Sequence, residues 1–67
     1  MFFKPLTKND VIAALKFLKI GDDRSILGVW IKRDDRTKWS FTTRYRGVTQ
    51  YFSTLKETVE YVLYWAA

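Results

Sequence analysis

Apolar residues recur at helical spacing in the first third of the chain. Val11 and Leu15 lie four positions apart, and neighbouring apolar residues extend their stripe. Thr7 precedes this stretch as a predicted N-cap, and the carboxylate of Asp10 suits the positive end of a helix. Gly21 is typical of a helix stop. The pattern therefore predicts a helix that begins after Thr7 and ends before Gly21.

The apolar period then changes to two, which is typical of β-strands. The predicted strands cover residues 25–33, 38–45 and 48–52. Turn-forming residues separate them, among them Asp34, Asp35 and Gly47. Connections this short join antiparallel neighbours, so the three strands are expected to form a meander.

The last stretch of the chain returns to helical spacing. Thr54 and Glu57 match the capping-box pattern, and Val59 and Val62 belong to an apolar stripe that follows it. The predicted order is therefore α-β-β-β-α. We expect an α+β fold in which residues 1–67 form a single domain, with a three-stranded antiparallel meander and both helices packed on one face.

Composition excludes most catalytic chemistry. The 67 residues include neither cysteine nor histidine. Disulfides, thiolate zinc sites, cysteine nucleophiles and the usual catalytic triads are therefore ruled out. The chain is 48% hydrophobic and contains 5 Phe, 4 Tyr and 3 Trp residues, which is too apolar for a disordered chain at this charge. We expect a small folded binding protein rather than an enzyme.

Two pairs of aspartates raise the question of a metal site. Asp22-Asp23 and Asp34-Asp35 both lie in predicted turns, where aspartate bonds to the backbone. Adjacent side chains on an extended chain also diverge, whereas a magnesium ion needs converging carboxylates. We expect no metal and no cofactor.

No stretch of the sequence is typical of export or membrane insertion. A charge and a proline interrupt the apolar N-terminus by position 5, and the nearly uncharged run 61–67 is much shorter than the roughly 20 residues that span a bilayer. We expect a cytoplasmic protein without a membrane partner.

Positive charge is concentrated in the predicted sheet. Residues 24–46 hold seven basic and two acidic side chains, which equals the net charge of +5 of the whole chain. Alternation would direct Leu27, Val29, Ile31, Trp39, Phe41 and Phe52 toward the helices. It would direct Trp30, Lys32, Lys38, Ser40, Thr42, Arg44, Thr49 and Tyr51 outward, with no acid among them.

Such an outer face suits nucleic acid, because cations neutralise phosphates and aromatic rings stack on bases. The residues expected to contact phosphates are Lys32, Arg33, Lys38, Arg44 and Arg46. Those expected to contact grooves or bases are Trp30, Thr42 and Tyr51. The alternative is that these cations only keep an exposed sheet soluble, with Thr, Trp and Tyr present for strand propensity.

A family resemblance points the same way. It is carried by Gly28-Val29, Lys38-Trp39, Gly47, Phe52-Ser53-Thr54, Glu57, Tyr61 and Trp65-Ala66-Ala67. Residues 28–67 thereby resemble DNA-binding domains of the APETALA/ethylene-response-factor type, which have phage and bacterial versions, and are similar in shape to arm-binding domains of tyrosine recombinases. The resemblance implies a small regulatory module, phage or mobile-element related, whose sheet lies in the major groove of duplex DNA. It implies DNA contacts by Trp30, Lys32, Thr42 and Arg44.

The overall element order is also similar to the double-stranded-RNA-binding fold. That fold includes small toxins that depend on a histidine, which this chain lacks. We expect duplex DNA rather than RNA as the partner of the outer face.

The aromatic residues of the last helix leave a second function open. Tyr61, Tyr64 and Trp65 flank its apolar stripe. They are expected either to cover the edge of the core with Phe2, Phe3 and Phe17, or to form an exposed patch. A patch would fit a homodimer, or a small regulator such as a phage-encoded inhibitor that docks on a host protein.

Overall fold

The computed structural model describes residues 7–66, which form two helices and four strands. In chain order these are α1 (Lys8–Phe17), β1 (Asp23–Ile26), β2 (Val29–Arg33), β3 (Phe41–Tyr45), β4 (Val48–Phe52) and α2 (Leu55–Ala66). The strands form one antiparallel sheet in the order β1-β2-β3-β4. The α+β class and the antiparallel meander are confirmed, but the predicted number of three strands is wrong.

The extra strand arises because the predicted strand 25–33 is a hairpin. Leu27 and Gly28 form its two-residue turn with φ angles of 53° and 85°. Two positive φ angles are the mark of a type I′ turn, whose twist matches that of the flanking strands. Leu27, expected to face the helices, is instead 42% exposed, and Ile26 takes a core position at 4% exposure. The alternation of Leu27 with Val29 concealed this turn.

Two further element boundaries differ from prediction. Helix α1 ends at Phe17, and Leu18 then adopts an extended backbone that lets its side chain enter the core. Gly21, the predicted helix stop, lies in the following turn with a φ angle of 94°. The second predicted strand, 38–45, begins only at Phe41 because residues 34–40 form a compact connection.

One hydrophobic cluster joins both helices to one side of the sheet. Its buried members are Val11, Leu15, Leu18, Ile26, Val29, Ile31, Phe41, Val59 and Val62. We call the side of the sheet that carries Ile26, Val29, Ile31 and Phe41 the inner face. The opposite side, the outer face, consists of Asp23, Ser25, Trp30, Lys32, Thr42, Arg44, Thr49 and Tyr51.

Both helix starts are capped as predicted. The backbone N–H of Asp10 donates to Thr7 Oγ1 at 3.2 Å, and the N–H of Thr7 donates to Asp10 Oδ2 at 2.9 Å. At α2 the N–H of Glu57 donates to Thr54 Oγ1 at 3.2 Å. Such caps satisfy N–H groups that have no partner within the helix.

The aromatic residues expected at the edge of the core behave differently from one another. Phe17 is 87% exposed and so does not cover the core. Phe2 and Phe3 lie outside the described residues. No helix within residues 7–66 has the length and apolarity needed to cross a membrane.

The hairpin turn gives a test of this fold. Leu27 occupies a left-handed conformation that L-residues other than Asn and Asp adopt at a cost of about 1–2 kcal/mol, so Leu27→Asn is expected to raise the free energy of unfolding by about 1 kcal/mol. Urea unfolding measures this change. Leu27→Ala is the matched control, because it removes the same side chain but keeps the backbone strain. An Asn variant no more stable than the Ala variant would contradict the turn assignment.

Candidate nucleic-acid interface

The outer face displays its eight side chains in two rows across the four strands. Strand pairing aligns Ser25, Trp30, Arg44 and Thr49 in one row, and Asp23, Lys32, Thr42 and Tyr51 in the other. Six of the eight are exposed, while Trp30 and Thr42 are half-buried. Both helices pack into the core on the inner side, so the outer face is open to solvent.

An acidic residue lies on this face, contrary to prediction. Asp23 is the cross-strand partner of Lys32, and its Oδ2 accepts a 2.8 Å hydrogen bond from Trp30 Nε1. The bond satisfies the only polar group of the indole, so Trp30 presents its ring rather than a donor. Asp23 was missed because strand β1 was missed. A turn placed at Leu27-Gly28 would have paired Asp23 with Lys32.

The carboxylate of Asp34 lies in the connection between β2 and β3, at one end of the outer face, and several side chains bond to it. Asp34 accepts hydrogen bonds from Arg36 Nε at 3.1 Å, from Arg36 Nη2 at 3.0 Å and from Thr42 Oγ1 at 3.0 Å. The backbone N–H of Arg36 donates to it at 3.1 Å, and the hydroxyl of Ser40 donates to it as well. This cluster fixes the path by which the chain enters β3.

Arg36 connects this cluster to β4, which is an edge strand of the sheet. Its Nη2 also donates to the carbonyl oxygens of Phe41 and Phe52, each at 3.1 Å. Its guanidinium lies 5.2 Å from the ring centroid of Tyr51, a cation–π distance. Arg36 thus ties the β2–β3 connection to β4 and supports Tyr51 from one side. Sequence periodicity gave no signal for this role.

These contacts change the acidity of Asp34. Desolvation by burial opposes its ionisation, but the hydrogen bonds from Arg36, Ser40 and Thr42 outweigh it and hold the pKa of Asp34 well below its usual range. The same ion pair raises the pKa of Arg36. The pair therefore stays ionised across the physiological range of pH.

Arg33 lies on the inner side of the sheet rather than on the outer face. Its Nη1 donates to the Leu18 carbonyl at 2.8 Å, and its Nη2 donates to the Lys38 carbonyl at 2.7 Å. Its guanidinium packs 4.2 Å from the ring centroid of Trp39. Arg33 Nε is buried without a hydrogen-bond partner. This arginine anchors the end of α1 and the β2–β3 connection, and the expected phosphate contact does not fit its position.

Lys38 and Ser40 are also placed differently from the prediction, whereas Arg46 lies in the turn between the strands 38–45 and 48–52, as expected. Lys38 is exposed in the β2–β3 connection, whereas Arg46 is exposed in the β3–β4 turn at the opposite end of β3. The guanidinium of Arg46 lies 5.3 Å from the ring centroid of Tyr45. Ser40, expected on the outer face, is fully buried, and its hydroxyl donates to Asp34. Only Lys32 and Arg44 remain as exposed cations within the outer face.

The aromatic residues of α2 form a second surface at the other side of the molecule. Tyr61 is half-buried against Phe52 at a centroid distance of 5.0 Å, which fits the expected cover for the core edge. Trp65 lies 4.7 Å from Tyr45 and 5.1 Å from Tyr64. Tyr64 is 71% exposed and Trp65 is 39% exposed, so this end of the helix keeps an apolar patch in water.

The carboxylates in the described part of the chain do not converge on a metal site. No group of three or more Asp, Glu, Cys or His side chains within residues 7–66 is placed to hold an ion. The carboxylate of Asp34 is occupied by its own hydrogen bonds instead.

The cluster around Asp34 makes acid stability a test of this edge of the site. The folded pKa lies below the value of about 3.9 for an unfolded chain, so the stabilisation is complete above about pH 5 and is lost as the pH falls. Asp34→Asn is expected to lower the free energy of unfolding at pH 7 by about 1–3 kcal/mol and to flatten its decline between about pH 5 and 2.5. Denaturant unfolding over this pH series measures both effects.

Asp35→Asn is the matched control, because Asp35 is the exposed neighbour of Asp34. A variant at Asp34 that kept the full acid dependence of the parent would show that other carboxylates dominate.

Comparisons with known proteins add no relative to this picture. No family model, no curated protein and no solved structure matches the chain. The resemblance of residues 28–67 to three-stranded DNA-binding domains therefore stays a prediction.

Proposed function

We propose that this protein binds nucleic acid through the outer face of its sheet. The observation that carries the proposal is the adjacency of two exposed cations and two aromatic side chains on a face that neither helix covers. Lys32 and Arg44 supply the charge, and Trp30 and Tyr51 supply the rings. A cytoplasmic location and a regulatory role form part of this proposal.

The chemistry of each side chain fits a polyanionic partner. Arg44 and Lys32 would bind phosphate oxygens, and the hydroxyl of Thr49 would donate to phosphate or sugar. The hydroxyl of Thr42 already donates to Asp34, so it could only accept a hydrogen bond from the ligand. Lys38 and Arg46, at opposite ends of β3, would prolong the cationic path beyond the two rows. Arg33 and Arg36 are left out, because their guanidinium groups bind backbone carbonyls.

The positions implied by the family resemblance support the proposal. Trp30 is the cross-strand partner of Arg44, and Lys32 is the partner of Thr42. The four side chains therefore occupy one continuous area of two strands. Asp23 limits the charge of this area, but its bond to Trp30 directs the carboxylate at the indole N–H.

Substitution of Arg44 gives the direct test. Arg44→Ala is expected to weaken binding of a labelled oligonucleotide by about 1–3 kcal/mol if the side chain contacts a base edge, or to lower the salt slope by about one unit if it contacts only phosphate. Fluorescence anisotropy at two or more salt concentrations measures both quantities.

Arg24→Ala is the matched control, because Arg24 is an exposed strand arginine on the opposite side of the sheet, paired with Ile31. It should leave affinity nearly unchanged. Equal effects of the two variants would mean that only net charge matters, and no binding by the parent protein would refute the proposal.

A second candidate function rests on the apolar patch of α2. Exposed aromatic residues such as Tyr64 and Trp65 are typical anchors of protein interfaces, and the patch lies apart from the outer face. It would serve self-association or docking on a larger protein. Such binding would respond weakly to salt, whereas nucleic-acid binding would weaken steeply.

Sedimentation over a range of protein concentrations tests self-association. If the patch forms a dimer, Tyr64→Ala is expected to shift the protein toward the monomer, because an exposed ring contributes to the interface without supporting the core. Arg44→Ala should leave the association state unchanged. A parent protein that stays monomeric at high concentration would exclude the dimer.

A further inference from the structure

We infer that the outer face binds single-stranded nucleic acid by stacking bases on Trp30 and Tyr51, in preference to entering a duplex groove. This inference rests on the proposed nucleic-acid function and specifies the strandedness of the ligand. It is carried by the positions of Trp30 and Tyr51 in the sheet and by the polar contacts of their side chains.

The two rings present surfaces suited to stacking. The N–H of Trp30 is already bonded to Asp23 at 2.8 Å, so the indole has no donor left to recognise a base edge. Tyr51 is 64% exposed, and the guanidinium of Arg36 lies 5.2 Å from its ring centroid. Each ring is therefore held by a polar partner within the protein, which reduces the entropy lost on binding.

The positions of Trp30 and Tyr51 fit an extended nucleic-acid strand rather than one whose neighbouring bases stack on each other. Trp30 and Tyr51 lie two strands apart and two residues apart along the strands. Strand spacing of about 4.8 Å and a rise of about 3.3 Å per residue put their backbone positions about 12 Å apart. Stacked nucleotides advance only about 3.4 Å per step, so a nucleic-acid strand that reaches both residues would have to be extended.

Two cations of the outer face, Lys32 and Arg44, lie near the path that such a nucleic-acid strand would take. Arg44 and Thr42 are on β3, between the strands that carry the two rings, and Lys32 is the neighbour of Thr42 on β2. A backbone that links a base on Trp30 to one on Tyr51 would pass over β3. The exposed guanidinium of Arg44 would then neutralise a phosphate between the two bases.

The width of the sheet argues against the duplex. Four strands about 4.8 Å apart span about 14 Å between the outer strand axes, even before side chains are counted. The major groove is about 12 Å wide and admits a helix or a two-stranded ribbon. The four strands together are therefore wider than the groove.

Anisotropy with labelled dT12, U12 and a 16-base-pair duplex tests the inference at low and moderate salt. The parent protein is expected to bind at least one single strand about tenfold or more tightly than the duplex. Trp30→Ala and Tyr51→Ala are each expected to weaken single-strand binding about 5- to 150-fold, as loss of one stacked base does. Comparing dT12 with U12 distinguishes DNA from RNA.

Two controls separate stacking from other effects. Tyr51→Phe keeps the ring and should retain affinity, whereas loss of binding would assign the effect to the hydroxyl and overturn the inference. Phe17→Ala removes an exposed ring from α1, which packs on the inner side, and should leave the affinity for single strands unchanged. Because Tyr51 is exposed, its variant is expected to fold as the parent does, which circular dichroism checks.

The three probes distinguish failure of this inference from failure of the proposed nucleic-acid function. Equal or tighter binding to the duplex, sensitive to Arg44→Ala but not to Tyr51→Ala, would overturn this inference and leave the proposed function standing. Absence of binding to all three probes would refute both.

Discussion

Burial of one face of the sheet decides what the other face can offer. Val29, Ile31 and Phe41 are fully buried, so the side chains that alternate with them have to point away from the helices. A slip of one residue in β2 would bring Lys32 into the core and expose Ile31, which is strongly unfavourable. The requirement to bury three apolar residues therefore fixes Trp30, Lys32, Thr42 and Arg44 as outward-facing neighbours.

Two arginines show how a small protein stabilises long connections without disulfides. Arg33 donates to the carbonyl of Leu18 and Arg36 donates to that of Phe52, 15 and 16 residues away in sequence. Each arginine also donates to a nearer carbonyl, that of Lys38 or Phe41. A charged donor strengthens such hydrogen bonds, and the arginine fork can serve several acceptors at once. The same use withdraws these cations from any external partner. Net charge counted by sequence segment therefore overstates the charge available on the outer face.

The parts of the fold that local pattern determines were predictable, and those that depend on distant partners were not. Thr7 and Thr54 precede helical periodicity, so both helix starts followed from capping patterns. The turn at Leu27 was hidden because leucine rarely adopts a positive φ angle and its apolar side chain continued the alternation. Asp34 was recognised as a turn residue, but its bond to Thr42 depends on how β3 returns beside β2.

The contrast between local pattern and distant partners also explains how much of the candidate site was predictable. Trp30, Lys32, Thr42, Arg44 and Tyr51 lie on the face expected from a period of two, which requires only that each strand be regular. Arg33, Lys38 and Arg46 lie at strand ends or in connections, where the period no longer fixes direction. The direction of a charged side chain can be predicted from the sequence only where the residue lies within a regular strand.

The placement of the aromatic residues separates two surfaces that composition alone would merge. Tyr45, Phe52, Tyr61 and Trp65 pack together along the inner side, where large rings help a small domain to bury area. Tyr51 is 64% exposed on the outer face and adds nothing to that cluster. Tyr51 contacts Arg36, and Trp30 bonds to Asp23, so both side chains have polar partners outside the core. The outer face, rather than the end of α2, is therefore the surface that we propose for nucleic acid.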